Sequence, residues 1–116
     1  MKCFAQALDL VDDPAAIAEY CEHHARVWPE VITALRAIGI REMRIYRLGT
    51  RLFMYVEAED GFDPARDYQR YAENPRCREW DLLMRRYQRP APGQDPSRGW
   101  WAEMEPVFEL SGTATA

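Results

Sequence analysis

The sequence predicts an α+β fold in which one antiparallel sheet carries helices on one face. Segments 40–48 and 51–59 are rich in β-forming residues and are joined by a short turn at Gly49, which predicts a β-hairpin. Helical patterns precede and follow this hairpin, and a proline interrupts each of them, at Pro29 and Pro75. The hairpin and its two flanking helical regions therefore give the fold class.

The N-terminal region predicts a strand followed by a kinked helix. The strand covers 3–10, and Asp13 then supplies an N-cap ahead of a proline at the first helical position. Pro29 disfavours helical geometry at the preceding Trp28, so we expect the helix to break there and to resume over 30–38.

The C-terminal region repeats this pattern and adds a long connection. A helix is predicted from 63 to about 73, and it resumes over 76–88 after an Asn-Pro interruption. Three prolines and two glycines make 89–101 an irregular connection, and the alternation in 102–110 predicts a last strand. We expect a disordered tail at 111–116.

The order of these elements is βαββαβ, the ferredoxin-like arrangement, in a single domain that spans 1–110. Helices on one face would leave the other face of the sheet bare. Chains of this size commonly cover such a face by pairing two sheets, so we expect a homodimer that forms a dimeric α/β barrel.

Composition excludes several classes of function. The formal charge of −4 and the absence of a Lys/Arg stripe argue against a nucleic-acid partner. The three cysteines form no CxxC pair and are expected to pack in the core. Adjacent His23 and His24 point about a quarter-turn apart, so no metal site is expected. With no secretory pattern and no apolar run of membrane-spanning length, we expect a cytoplasmic protein that does not enter a membrane.

A candidate site lies on the first predicted helix. Tyr20, His24 and Trp28 recur every four residues and would share one surface, with His24 facing inward and His23 outward. Because imidazole titrates near pH 6.5, His24 could exchange a proton at neutral pH. The same spacing equally describes the edge of an apolar core, and the residues alone leave these two interpretations open.

The chain resembles the L-rhamnose mutarotases, small dimeric ferredoxin-like enzymes that interconvert the α and β anomers of 6-deoxyhexoses. The resemblance extends to about Leu110. Its most specific parts are the spacing Tyr20-x3-His24-x3-Trp28, followed by Pro29 and Glu30, and the later helix with Cys77-x2-Trp80.

The resemblance implies a role for each matching residue. It makes His24 the proton donor and places Tyr20 and Trp80 in contact with the sugar. Because mutarotation needs only proton transfers, the resemblance also implies that no cofactor is required. The chain departs from the rhamnose pattern at Met43, where a tyrosine is expected, and at Asp81, where a second tryptophan is expected. A carboxylate offers two acceptor oxygens to sugar hydroxyls, so Asp81 is a candidate substrate-binding residue. The combination Glu42-Met43-x-Ile45-Tyr46-Arg47, with Leu83-Met84-x-Arg86-Tyr87-Gln88 later, looks like the branch of this family associated with L-fucose.

Two other functions fit the same predicted fold. One is a dimeric ferredoxin-like monooxygenase, and the other is a small-ligand-binding module without catalytic activity. A monooxygenase would consume oxygen, whereas a binding module would hold a sugar without exchanging its anomers.

Overall fold

A computed structural model describes residues 1–110 and contains nine regular helices and strands within that range. In chain order they are β1 (Lys2–Leu10), α1 (Pro14–Ala25), α2 (Pro29–Ala37), β2 (Ile40–Leu48), β3 (Arg51–Ala58), α3 (Pro64–Ala72), α4 (Pro75–Arg85), β4 (Gln88–Arg89) and β5 (Ala102–Glu103). A short 3₁₀ turn covers Pro96–Arg98. The tail predicted as disordered, 111–116, lies outside the described residues.

The sheet is antiparallel, and β1 lies at its centre. Strand β3 pairs with β1 from Lys2 to Asp9, with Leu8 opposite Leu52, and β2 pairs with the far side of β3. The two short strands β4 and β5 both pair with the other edge of β1. The predicted α+β fold and hairpin are therefore confirmed, and two short strands share the position of the fourth strand.

Proline fixes where each helix begins. The side chains of Asp13, Asp63 and Asn74 each accept a hydrogen bond from the backbone N–H two residues later, and a proline follows each cap. At Pro29 the preceding Trp28 has an extended ψ of 134°, which separates α1 from α2. The predicted break is confirmed, and α1 and α2 can present different faces to the sheet.

The prediction of a last strand over 102–110 is wrong beyond its first residues. Only Ala102–Glu103 is assigned to a strand, and one further hydrogen bond joins the Met104 N–H to the Ala5 carbonyl at 2.8 Å. Pro106 has no N–H to continue the ladder, and Val107 is 98% exposed. Residues 1–110 offer no surface on which the apolar side chains of 104–110 could be buried.

The core lies between the sheet and the four helices. Leu8, Leu52 and Val56 fill it from the sheet, and Cys77 meets them from α4. The opposite face of the sheet presents Tyr46, Leu48 and Phe53 to solvent. We call this set of three residues the open sheet face.

The three cysteines differ in exposure. The expectation that all three pack in the core holds for Cys77 alone, because Cys3 and Cys21 are exposed. Cys3 lies near the start of β1, and Cys21 lies on the solvent side of α1. At both positions apolar neighbours in the sequence do not bury the thiol.

Within residues 1–110 no helix has the length and hydrophobicity needed to cross a membrane.

Candidate active site

An open cavity of about 800 Å³ lies between the helices and the sheet. All four predicted site residues line it: Tyr20, His24, Trp80 and Asp81. Aliphatic and methionine side chains from α2 and the sheet form much of the remaining wall. The cavity therefore combines an apolar surface with a few polar groups, as sites for small polar ligands commonly do.

His24 is held by its own helix. Its Nδ1 lies 3.0 Å from the backbone carbonyl oxygen of Tyr20. A carbonyl can only accept, so Nδ1 carries a hydrogen and Nε2 is the nitrogen that gains or loses a proton. Burial lowers the pKa of His24, and His23 nearby lowers it further, against the opposing effect of the Tyr20 carbonyl. His24 therefore gives up its Nε2 proton more readily than an exposed histidine.

Two aromatic rings enclose His24. The Tyr20 ring lies 4.3 Å from the imidazole centroid, and the Trp80 ring meets it edge-on at 5.4 Å. Burial raises the pKa of Tyr20 to about 12, while Gln88, which is hydrogen-bonded to it, opposes this shift. The Tyr20 hydroxyl therefore stays protonated at neutral pH and can act as a donor.

Asp81 supplies a carboxylate at the rim of the cavity. Its Oδ1 accepts a hydrogen bond of 3.1 Å from the Tyr71 hydroxyl, while the side chain keeps contact with solvent. The surrounding walls desolvate the carboxyl group and raise the pKa of Asp81, although Tyr71 and Arg85 act in the opposite direction. Asp81 adjoins Trp80 in the chain, so one turn of α4 places an indole and a carboxylate on the same cavity.

Trp28 has a supporting position. It stands at the start of α2, does not line the cavity, and contacts the Trp80 ring edge-on at 5.3 Å. The Arg76 guanidinium carbon lies 3.9 Å from the Trp28 ring centroid, and Arg76 Nε donates a 2.8 Å hydrogen bond to Glu30. Trp28 therefore packs against Trp80 and does not face the cavity.

The outward orientation expected for His23 is wrong. This side chain is half-buried, and its Nε2 lies 3.2 Å from the Tyr87 hydroxyl. Tyr87 follows α4 and covers that side of α1, a contact between residues 64 positions apart. Helical periodicity describes one helix alone and could not show it.

Several residues that line the cavity were not expected from the sequence. They include Tyr68 and Tyr71 of α3, Gln88 of β4, and Arg98 of the connection before β5. The three-residue spacing of the two tyrosines could have placed them on one helical face. No periodic signal covers the connection, whose position depends on contacts such as the Arg85 guanidinium 5.0 Å from the Trp100 ring centroid.

Fold and site together define a small α+β enzyme with an imidazole and a carboxylate on one open cavity. Among residues 1–110 no group of three or more His, Cys, Asp or Glu side chains is arranged to hold a metal ion. The arrangement suits proton transfer to and from a small polar ligand. The sequence model of the family described as L-rhamnose mutarotase matches residues 3–110, and the chain belongs to that family. It is a mutarotase, an isomerase.

Similar proteins have different names. The chain is 47% identical over 112 residues to a UPF0734 protein of Dictyostelium discoideum, covering 94% of this chain and 90% of that protein. It is 41% identical over 113 residues to an L-fucose mutarotase of Xanthomonas campestris, covering 96% and 90%. The crystal structure of an L-rhamnose mutarotase from Formosa agariphila superposes with a TM-score of 0.69 at 21% identity, covering 95% of this chain and 99% of that one. The last likeness shows the shared fold.

Proposed function

We propose that this mutarotase interconverts the α and β anomers of L-fucose, with L-rhamnose as a poorer substrate. The similarity to an L-fucose mutarotase along nearly the whole chain is the observation that carries the choice of sugar. Met43 and Asp81, which line the cavity, differ from the pattern expected for rhamnose enzymes. A carboxylate there favours a sugar hydroxyl that needs an acceptor, which an indole does not offer.

His24 and Asp81 are the proposed proton-transfer pair. His24 Nε2 delivers a proton to the ring oxygen while the Asp81 carboxylate takes the proton of the anomeric hydroxyl. The bond between C1 and the ring oxygen breaks, the aldehyde rotates, and the reverse transfers close the ring as the other anomer. Each group ends the cycle in the protonation state in which it began, so no cofactor is consumed. Such an acid and base contribute about 10²- to 10⁴-fold, or roughly 3 to 5 kcal/mol of barrier.

Tyr20 and Trp80 are proposed to hold the sugar. The protonated Tyr20 hydroxyl can donate to a sugar oxygen next to His24. The Trp80 indole can pack against the apolar face of the ring, with Trp28 behind it. These contacts would orient the ring oxygen toward Nε2.

Saturation-transfer NMR tests the proposal directly. Saturating one anomeric proton of L-fucose in the presence of purified protein should reduce the signal of the other anomer far more than in buffer alone. L-rhamnose should show a smaller effect. Sugar binding without transfer of saturation would contradict the assignment.

Replacing Asp81 with tryptophan should shift the preference toward L-rhamnose. We expect Asp81→Trp to slow the exchange of both sugars, because the proton acceptor is lost, and to slow L-fucose about tenfold more than L-rhamnose, because a tryptophan is expected at this position in the rhamnose enzymes. Leu82→Trp is the matched control, since Leu82 adjoins Asp81 but is exposed and does not line the cavity. Equal losses for both sugars in Asp81→Trp would show that Asp81 does not set specificity.

We also propose that two copies of the chain pair through the open sheet face. Tyr46, Leu48 and Phe53 form an apolar surface there, and the centroids of the Tyr46 and Phe53 rings lie 6.1 Å apart.

Analytical ultracentrifugation should detect a dimer of the 13.6 kDa chain. Tyr46→Asp should raise its dissociation constant at least about 100-fold, because a charge would be buried without a partner. Leu82→Asp, an exposed apolar position on α4, should leave it unchanged, and a monomeric wild-type protein would contradict the proposal.

A further inference from the structure

Tyr71 is the one tyrosine among the described residues whose hydroxyl hydrogen-bonds the Asp81 carboxylate. It lies on α3, is only 8% exposed, and reaches across the Asn74-Pro75 break to α4. Its hydroxyl donates to Oδ1 at 3.1 Å, and no side chain or backbone group of residues 1–110 donates to Oδ2. The carboxylate thus has one oxygen fixed by the protein and one available to a ligand.

We propose that Tyr71 is a positioning residue that holds Asp81 so that Oδ2 faces the cavity and accepts the proton of the anomeric hydroxyl. This inference rests on the proposed mutarotation. A free aspartate side chain rotates about two bonds, whereas a buried phenol is fixed by its packing. Anchoring Oδ1 on that phenol restricts the carboxylate to orientations in which Oδ2 points away from α3. Orientation of this kind is a large part of what an enzyme contributes to a proton transfer.

The hydrogen bond also favours the ionised form of Asp81. The groups that act on this carboxyl are Tyr71 from α3 and Arg85 and Cys77 from α4. Burial raises the pKa of Asp81, and the hydroxyl of Tyr71 opposes that shift by favouring the charged form. Removing the hydroxyl should raise the pKa further. Asp81 must be ionised to accept a proton, so activity should then be lost at a higher pH as the solution is acidified.

Tyr71→Phe tests the proposal, with Tyr68→Phe as the matched control. Tyr68 lies one turn earlier on α3 and lines the same cavity, but the tyrosine that bonds Asp81 is Tyr71. Saturation-transfer NMR on L-fucose should give kcat and KM for both variants between pH 5 and pH 8. We expect Tyr71→Phe to lower kcat roughly tenfold at the acidic end and less at pH 8, with KM nearly constant. Tyr68→Phe should keep the wild-type pH profile.

A double-mutant cycle with Asp81→Asn separates positioning from structure. If Tyr71 acts through Asp81, adding Tyr71→Phe to Asp81→Asn should cause little further loss. The same loss in both backgrounds, or an unchanged pH profile in Tyr71→Phe, would overturn the proposal. Should Tyr71→Phe not fold, Asp81→Glu moves the carboxylate off the hydroxyl with Tyr71 intact and must show the same acidic loss. Absence of exchange in the wild-type protein would instead refute the proposed function.

Discussion

Replacing His24 with alanine should lower the enzyme-catalysed rate of anomer exchange by about 10²- to 10⁴-fold, because the proposed mechanism then has no acid to protonate the ring oxygen. His24 is the only histidine among the described residues that lines the cavity. Its recorded hydrogen bond uses Nδ1, which leaves Nε2 available to a ligand. Saturation-transfer NMR on L-fucose measures this loss. Circular dichroism and thermal unfolding should show a folded protein, since the side chain is only half-buried.

His23 provides the control for this experiment. It is adjacent in sequence, also half-buried, and contacts Tyr87 instead of lining the cavity. His23→Ala should cost a little stability through the lost Tyr87 contact while exchange stays within a few-fold of wild type. A fully active His24→Ala variant, or equal losses in both variants, would remove His24 from the mechanism.

Leu52→Ala should have the largest effect on stability. Leu52 is 1% exposed on β3, directly opposite Leu8 on β1. Truncating such a leucine removes buried apolar surface and leaves a cavity, which costs about 2 to 5 kcal/mol out of a typical total of about 5 to 15. For a chain of this length, the midpoint of thermal unfolding should fall by roughly 8 to 20 °C.

Leu82→Ala is the same chemical change on the surface. Leu82 is 65% exposed on α4, so its free energy of unfolding should change by no more than about 0.5 kcal/mol. Both variants should be compared at one protein concentration, because dimer formation would make the midpoint depend on it. Similar destabilisation in the two variants would mean that the core lies elsewhere.

Local chemistry explains why so much of the fold is predictable from the sequence. Asp13, Asp63 and Asn74 precede prolines, and each caps a helix as the sequence indicates. Gly49 marks a hairpin whose strands pair as expected. These signals act over a few neighbouring residues, and the burial of apolar side chains between the sheet and the helices agrees with them.

The last strand shows where such signals fail. Alternation in 102–110 predicts a strand, yet only two residues pair with β1. Alternation reports a preference for a half-buried surface, and the described residues offer no such surface beside Met104 and Val107. In the proposed dimer, the partner subunit could supply such a surface.

The candidate site divides in the same way. The amino-acid sequence alone determines the order of the elements and the helix starts that proline defines. It also places Tyr20 and His24 one turn apart on α1. Three other features depend on the tertiary structure: Tyr87 covers His23, Trp28 supports Trp80 from outside the cavity, and Tyr71 holds Asp81. Helix periodicity and capping are set by residues a few positions apart, whereas these contacts depend on how whole helices pack against one another.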